Sequence, residues 1–376
     1  METAAIILLL LALIGCGYAF IAALLLGRYE PGPVPALAAC PEVAILKPLH
    51  GAEPKLAANL ASFLDQDYPG RIAMLCGIAD PADPAAEAVG RLAVRSSWAS
   101  VPLVVDATRH GTNAKVSNLI NLAGRTNAPV VIVSDSDIAV APDYLARIIS
   151  ALGHEHVGAV TCLYRGRGDA GGWSELAAAG ISYQFMPAVV VGLATGRAQP
   201  CMGSTIALRA EVLERIGGFA RVVDQLADDH ALGAAVRETG LAVVVPPMLV
   251  VHGCDEASLA GLVRHEIRWN ATIRSLDPLG YVGSIVTHPL PLALIGIALA
   301  GGAGWQVVVL AGLARATLKL RVDMIAGASS APLWMLPFRD ILSLATFLAG
   351  LFARSIDWRG ARLRMARGGR LSARSE

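Results

Sequence analysis

The chain opens on an unbroken apolar run. Residues 3–27 hold no charged side chain, and 6–13 are almost purely aliphatic. A bilayer needs about 20 apolar residues per helix, so the pattern predicts a membrane-spanning anchor over residues 1–28. A cleaved signal peptide would want a basic start, a shorter apolar core and a small-x-small site; Met1-Glu2 and the long core argue against one. A second charge-free stretch, 278–314, is too long for one span and suits a hairpin of two, turning at Gly301-Gly302-Ala303-Gly304. Runs 324–338 and 341–353 are shorter and are split by Arg339-Asp340. Such lengths suit interfacial or re-entrant helices, or one tilted span carrying a paired charge.

Between these blocks the period changes. β-rich runs at 43–46, 72–78, 101–105 and 130–133 alternate with helical stretches at 56–64, 85–94 and 116–123. That rhythm predicts an α/β domain whose mostly parallel sheet is covered on both faces, with ligands at the carboxyl ends of the strands. The expected organisation is an anchor (1–28), an α/β domain (29–277), C-terminal transmembrane or interfacial helices (278–356) and a basic tail (357–376). After Ala353 the chain holds Arg354, Arg359, Arg362, Arg364, Arg367, Arg370 and Arg374 against Asp357 and Glu376. By the positive-inside rule the tail is cytoplasmic, as are Arg315, Lys319 and Arg321.

Composition sharpens this picture. Only 16% of the 376 residues are charged and 55% are hydrophobic, with mean hydropathy +0.55. Soluble domains carry about 25% charge, so an ordinary cytosolic protein and a disordered chain are both disfavoured. Thirty-one basic against 30 acidic residues leave a net charge of +1, which excludes the global positive field of a nucleic-acid binder. Six scattered cysteines form no CxxC pair and so indicate neither a zinc ribbon nor a disulfide framework. Lys47, Lys55, Lys115 and Lys319 are the only lysines; with abundant Ala and Gly this fits a GC-rich bacterial genome.

Four constellations could carry chemistry. The run 130–133 leads into Asp135-Ser136-Asp137, where residues i and i+2 of an extended segment point the same way. Two such carboxylates suit Mg2+ or Mn2+ shared with substrate phosphates, though an Asp pair at a strand end is also a turn or cap device. Asp80, stopped by Pro81, could meet a nucleotide base or ribose, or simply cap a turn. Asp228-Asp229 before an Ala-rich helix could cap it, or supply a general base for a hydroxyl nucleophile. His265-Glu266-Ile267-Arg268-Trp269 offers a planar fork for diphosphate oxygens beside an interfacial ring; a snorkelling Arg next to a belt Trp is the plainer reading.

In order, Lys47-Pro48-Leu49, Gln66-Asp67-Tyr68-Pro69, Asp80-Pro81, Gly111-Thr112-Asn113-Ala114-Lys115, Asp135-Ser136-Asp137, Asp228-Asp229 and Arg268-Trp269 resemble the ceramide glucosyltransferase family of membrane-bound, inverting GT-A glycosyltransferases. Within it the chain is most similar to the bacterial hopanoid-associated branch. The resemblance spans nearly the whole chain, including Asp357-Trp358-Arg359-Gly360. It implies a Rossmann-like cytosolic domain at a bacterial inner membrane, a UDP-sugar donor, a lipid acceptor and a divalent metal. It implies that Lys47, Pro48 and Asp80 line the uridine site, that Asn113 and Lys115 lie near the nucleotide, and that Asp135 and Asp137 hold the metal. Gly203, Ser204 and Thr205 would lie near sugar and acceptor with Asp228. Asp229 would be the general base, and Arg268-Trp269 would close over the diphosphate. His265 stands where the family has Gln or Arg, and the second acid of Asp-Ser-Asp stands where animal ceramide enzymes resemble Asp-Ser-Gly. For the branch, the implied reaction is N-acetylglucosamine transfer from UDP-GlcNAc to bacteriohopanetetrol. The alternatives are glucose transfer to ceramide, a processive polysaccharide synthase, and a non-catalytic membrane scaffold.

Overall fold

A computed structural model describes residues 2–93, 101–353, 355–358, 361–365 and 371–373. The chain forms two compact units: Met1–Glu30, Arg165–Ala198 and Cys254–Glu376 make one, and Pro31–Tyr164 with Gln199–Gly253 make the other. The expected blocks were contiguous; instead 165–198 and the stretch from 254 belong with the N-terminal helix.

The strands are β1 Val43–Pro48, β2 Ile72–Ile78, β3 Leu103–Val105, β4 Val130–Val133, β5 Ile138–Ala139, β6 Val157–Thr161, β7 Leu163–Gly168, β8 Ile206–Arg209, β9 Ala242–Val244 and β10 Leu249–Cys254. Seven form one sheet in the order β3-β2-β1-β4-β8-β6-β9. β3, β2, β1 and β4 run parallel, and β8 alone is antiparallel to both its neighbours. Val43, Ala44, Ile45 and Leu46 are all fully buried, as expected where a parallel strand is covered on both faces and reads as continuous rather than alternating apolar residues. Ala44 and Leu46 of β1 and Val131 and Val133 of β4 join a core with Val116, Leu119 and Leu122 of helix Ala114–Ala123 and Leu232, Ala235 and Val236 of helix Asp228–Glu238. Gly77 on β2 permits the close approach of the first helix: a Cβ there would lie 2.0 Å from Asn118 Oδ1, whose Nδ2 donates to the Gly77 carbonyl.

This topology fixes the reactive edge. β1, β2 and β4 are parallel, so their carboxyl ends, with Pro48, Asp80 and Asp135, share one edge of the sheet. β8 runs the other way, and the pairing of Val133 with Ile206 brings the turn at 203–205 to that same edge.

The helical unit contains Glu2–Leu25, Gly172–Gly180, Met186–Ala194, Leu259–Leu276, Pro278–Gly283, Pro289–Leu299, Trp305–Ala326 and Leu336–Phe352. Three stretches, Glu2–Tyr29, Gly172–Ala194 and Leu333–Phe352, are long and apolar enough to cross a membrane; a fourth would be Pro278–Thr287 with Pro289–Leu299, a pair bent by 70°. The expected turn is present, with Gly301, Gly302 and Gly304 at φ 62°, 95° and 83°, values that favour glycine. Arg339 and Asp340 do not pair with each other. Asp340 accepts from Arg315 Nε (2.9 Å) and Nη2 (2.7 Å), while Arg339 binds Glu266. Arg315 and Lys319, expected on the cytoplasmic side, are buried helix side chains, because a charge among apolar helices is tolerated when paired. Lys319 donates to Asp323 and Ser329. Three short antiparallel strands, Ser355–Trp358, Ala361–Met365 and Leu371–Ala373, follow; Val94, Arg354, Arg359, Gly360, Arg367, Arg370 and Arg374 lie outside the described residues.

Candidate active site

β4 ends at Val133 and delivers Asp135 and Asp137 to the edge. Lys115, on the first turn of helix Ala114–Ala123, places its Nζ 2.6 Å from Asp135 Oδ1 and 3.7 Å from Asp228 Oδ2. Burial alone would lower this ammonium, but Asp135, Asp228 and Asp229 outweigh it and hold it above the usual lysine range. Asp137 Oδ2 lies 3.3 Å from His252 Nε2. Burial pushes the Asp137 carboxyl up, His252 opposes that, and Asp135 adds to it.

Asp228 and Asp229 open helix Asp228–Glu238. Asp229 Oδ2 accepts from the Gly203 amide (3.0 Å) and Oδ1 from the His230 amide (2.7 Å), so its carboxylate is fixed by two backbone donors. Burial raises Asp228 to about 6 against the pull of Lys115, and burial raises Asp229 as well. Gly203 stands among these groups. A Cβ there would lie 3.1 Å from Asp135 Oδ2, 3.3 Å from Lys115 Nζ and 3.5 Å from Asp229 Oδ2.

The structure therefore brings Asp135, Asp137, Lys115, Asp228, Asp229 and Gly203 together, and changes the part of others. Lys47 is fully buried, and its ammonium donates to Ser134 Oγ and the Asp135 carbonyl. Asn113 is likewise buried: its Oδ1 caps helix Ala114–Ala123 through the Val116 amide, and its Nδ2 donates to the Gln225 carbonyl. Asp80 is exposed at the edge beyond β2, where its Oδ1 accepts from the Ala82 amide in a turn, and Pro48 is half-buried at the end of β1. Ser204 and Thr205 point inward, bonding the Cys162 carbonyl and the Tyr144 hydroxyl; of that turn only Gly203 faces the acids. His265, Arg268 and Trp269 sit on helix Leu259–Leu276 of the helical unit. There His265 Nδ1 meets Glu256 Oε1 at 2.6 Å and its ring packs edge-on to Trp269.

His252 is a site residue that the motifs missed. It lies on β10, pairs in register with Ile138 of β5 and stacks on Tyr164. A lone polar residue in the apolar strand Leu-Val-Val-His was the available signal. Among the described residues no three His, Cys, Asp or Glu converge as a complete metal cluster. Yet Asp137 Oδ1 is buried with no hydrogen-bond partner. Leaving such an oxygen unmet costs about 1–3 kcal/mol. Two carboxylates with an imidazole beside one of them form a donor set that fits Mg2+ or Mn2+.

Comparison with known proteins bears on the family and the fold. Ceramide glucosyltransferase 1 of Caenorhabditis elegans is 22% identical over 361 residues, covering 92% of this chain and 75% of that protein. Ceramide glucosyltransferase of Gibberella zeae is 24% identical over 155 residues, covering 38% of this chain and 29% of that protein. Among solved structures, mannosyltransferase PcManGT from Pyrobaculum calidifontis in complex with GDP-Man and Mn2+ superposes with TM-score 0.51 at 21% identity, covering 92% of this chain and 99% of that one. The α/β unit thus has a GT-A-like glycosyltransferase fold. Residues 7–371 match Glycosyl transferase family 21, and the chain belongs to that family.

Proposed function

We propose that this glycosyltransferase moves a sugar from a UDP-sugar to a hydroxyl of a membrane lipid, with inversion at the anomeric carbon. The observation that carries the reading is the common space at Gly203. A base carboxylate and a donor-side carboxylate face the same point, about 3.5 and 3.1 Å from where a side chain would begin. Asp229 takes the proton from the acceptor hydroxyl as its oxygen attacks. The Gly203 and His230 amides hold that carboxylate in place, and burial keeps it more basic than an exposed aspartate. Lys115 offers fixed positive charge where the departing diphosphate develops negative charge. A divalent cation held by Asp135 and Asp137, with His252 in reach, would supply charge neutralisation for the diphosphate. One displacement by a hydroxyl, with a single base and no enzyme nucleophile, inverts the centre. Arg268 and Trp269 would serve diphosphate and lipid, with the catalytic unit on the cytoplasmic side of a bacterial inner membrane.

For the substrates, the resemblance to the bacterial branch, toward which Asp-Ser-Asp leans, supports N-acetylglucosamine transfer from UDP-GlcNAc to bacteriohopanetetrol, although the metal motif itself does not select sugar or acceptor. The ceramide glucosyltransferase relatives favour the second reading, glucose from UDP-glucose to ceramide. Mass spectrometry of lipids made in a host lacking both products separates the two, and a polymer product would instead indicate a synthase. Asp229→Asn is expected to retain UDP binding and lower turnover by about 10²–10⁴-fold. Near-normal turnover in that variant would remove Asp229 from its role.

A further inference from the structure

Lys47 is a charged side chain without any solvent exposure. Its Nζ donates to Ser134 Oγ at 3.0 Å and to the Asp135 carbonyl at 2.8 Å, and lies 3.5 Å over the Phe63 ring. Among the described residues it makes no ion pair. A buried amine whose direct hydrogen bonds go only to neutral oxygens is a costly way to fill space, and an apolar side chain of similar length would pack the same cavity. What distinguishes Lys47 is what its two acceptors are attached to.

One acceptor is the peptide of Asp135 itself. The other, Ser134 Oγ, donates onward to the Ser204 carbonyl at 2.9 Å. Ser204 is anchored in turn by its own hydroxyl on the Cys162 carbonyl, at 3.1 Å. The neighbouring Gly203 amide donates to Asp229 Oδ2 at 3.0 Å. A single ammonium is therefore linked on one side to the backbone of the first donor-side acid. On the other side it is linked, through one hydroxyl, to the turn whose amide orients the base. The β4–β8 pairing places these two segments side by side, but strand pairing ends at Val133 and Ile206. Beyond it, the hydrogen bond from Ser134 to Ser204 links the two loops.

We propose that Lys47 is a positioning residue that sets the separation of the Asp135/Asp137 carboxylates from Asp229, acting through Ser134 and the Ser204 carbonyl. The inference rests on the function proposed above. It assigns Lys47 no contact with donor, metal or acceptor.

Lys47→Met and Ser134→Ala test it in the full-length protein in detergent. Mn2+ and UDP binding is read by electron paramagnetic resonance and calorimetry, alongside kcat, KM and thermal melting. Lys47→Met loses both links, so Mn2+–UDP affinity is expected to fall about tenfold or more, with kcat falling too. Ser134→Ala keeps the Lys47 bond to the Asp135 carbonyl and removes both bonds of the Lys47–Ser134–Ser204 link. It is expected to leave Mn2+–UDP affinity within about twofold and to lower kcat by about tenfold, with little change in KM for the lipid. The kcat losses should be less than additive in the double variant, because both act through one link. Wild-type kcat in Ser134→Ala would overturn the proposal, as would losses in either variant that merely track the folded fraction. If Lys47→Met does not fold, the split in Ser134→Ala still decides. A wild-type protein that binds no Mn2+–UDP and transfers no sugar would instead overturn the proposed function, and this role with it.

Discussion

Asp229 and Asp228 titrate as neighbours, and burial raises both. As the proposed base, Asp229 works only when ionised, so activity is expected to be lost as pH falls through this raised range. The acid limb of kcat/KM is expected above the ~3.9 of an ordinary aspartate and belongs to the pair. Asp228→Asn removes one like charge and should move the limb to lower pH. A limb near about 4 in the unaltered protein would show that burial does not govern the base. At this scale the sequence was legible where spacing carried the meaning. Asp135 and Asp137, two apart at a strand end, and the adjacent Asp228-Asp229 are brought to one edge. The burial of Lys47 and Asn113 was not legible, because residue type does not reveal burial. Both belong to motifs, and both are buried beneath the site, where Lys47 holds Ser134 and the Asp135 carbonyl and Asn113 the Gln225 carbonyl and Asp228. His252 stood out only as a lone polar residue in an apolar strand; that it meets Asp137 depends on a cross-strand register.

Elements repeat that contrast. The strands at 72–78 and 130–133 fall where the apolar runs place them, since a continuous apolar run suits a strand buried on both faces. Gly77→Ala puts a methyl against Asn118 and Leu122 and should cost about 1–3 kcal/mol, visible as a lowered melting temperature. An unchanged melt would mean that Asn118 moves aside freely. Gly172–Ala194 was not foreseen as a candidate span, because Ser182, Tyr183 and Gln184 interrupt its apolar pattern. Those polar groups are absorbed internally: the Tyr183 hydroxyl donates to Asp323, Ser182 meets Ser330, and Gln184 meets His288. The buried Arg315–Asp340 pair follows the same logic. Arg315→Met alone leaves Asp340 uncompensated and should cost about 3–5 kcal/mol. Arg315→Met with Asp340→Leu should recover most of that loss in the same melting assay, and a double variant as unstable as the single would contradict this account.

For the whole molecule, three helices long and apolar enough to span a bilayer predict that the chain stays in the membrane pellet through an alkaline carbonate wash and is released by detergent. Release by carbonate alone would contradict integral insertion. The chain passes between its two units after residues 30, 164, 198 and 253. Trimming both termini therefore cannot yield a water-soluble catalytic fragment, since any such piece would keep 165–198, an apolar insert stripped of its partners. Biosynthesis meets the same constraint in time. Glu2–Leu25 emerges first but packs against Pro289–Leu299 and Trp305–Ala326, which a ribosome adding about 5–20 residues per second reaches roughly 13–60 s later. During that interval the first helix needs lipid, or a chaperone, for company.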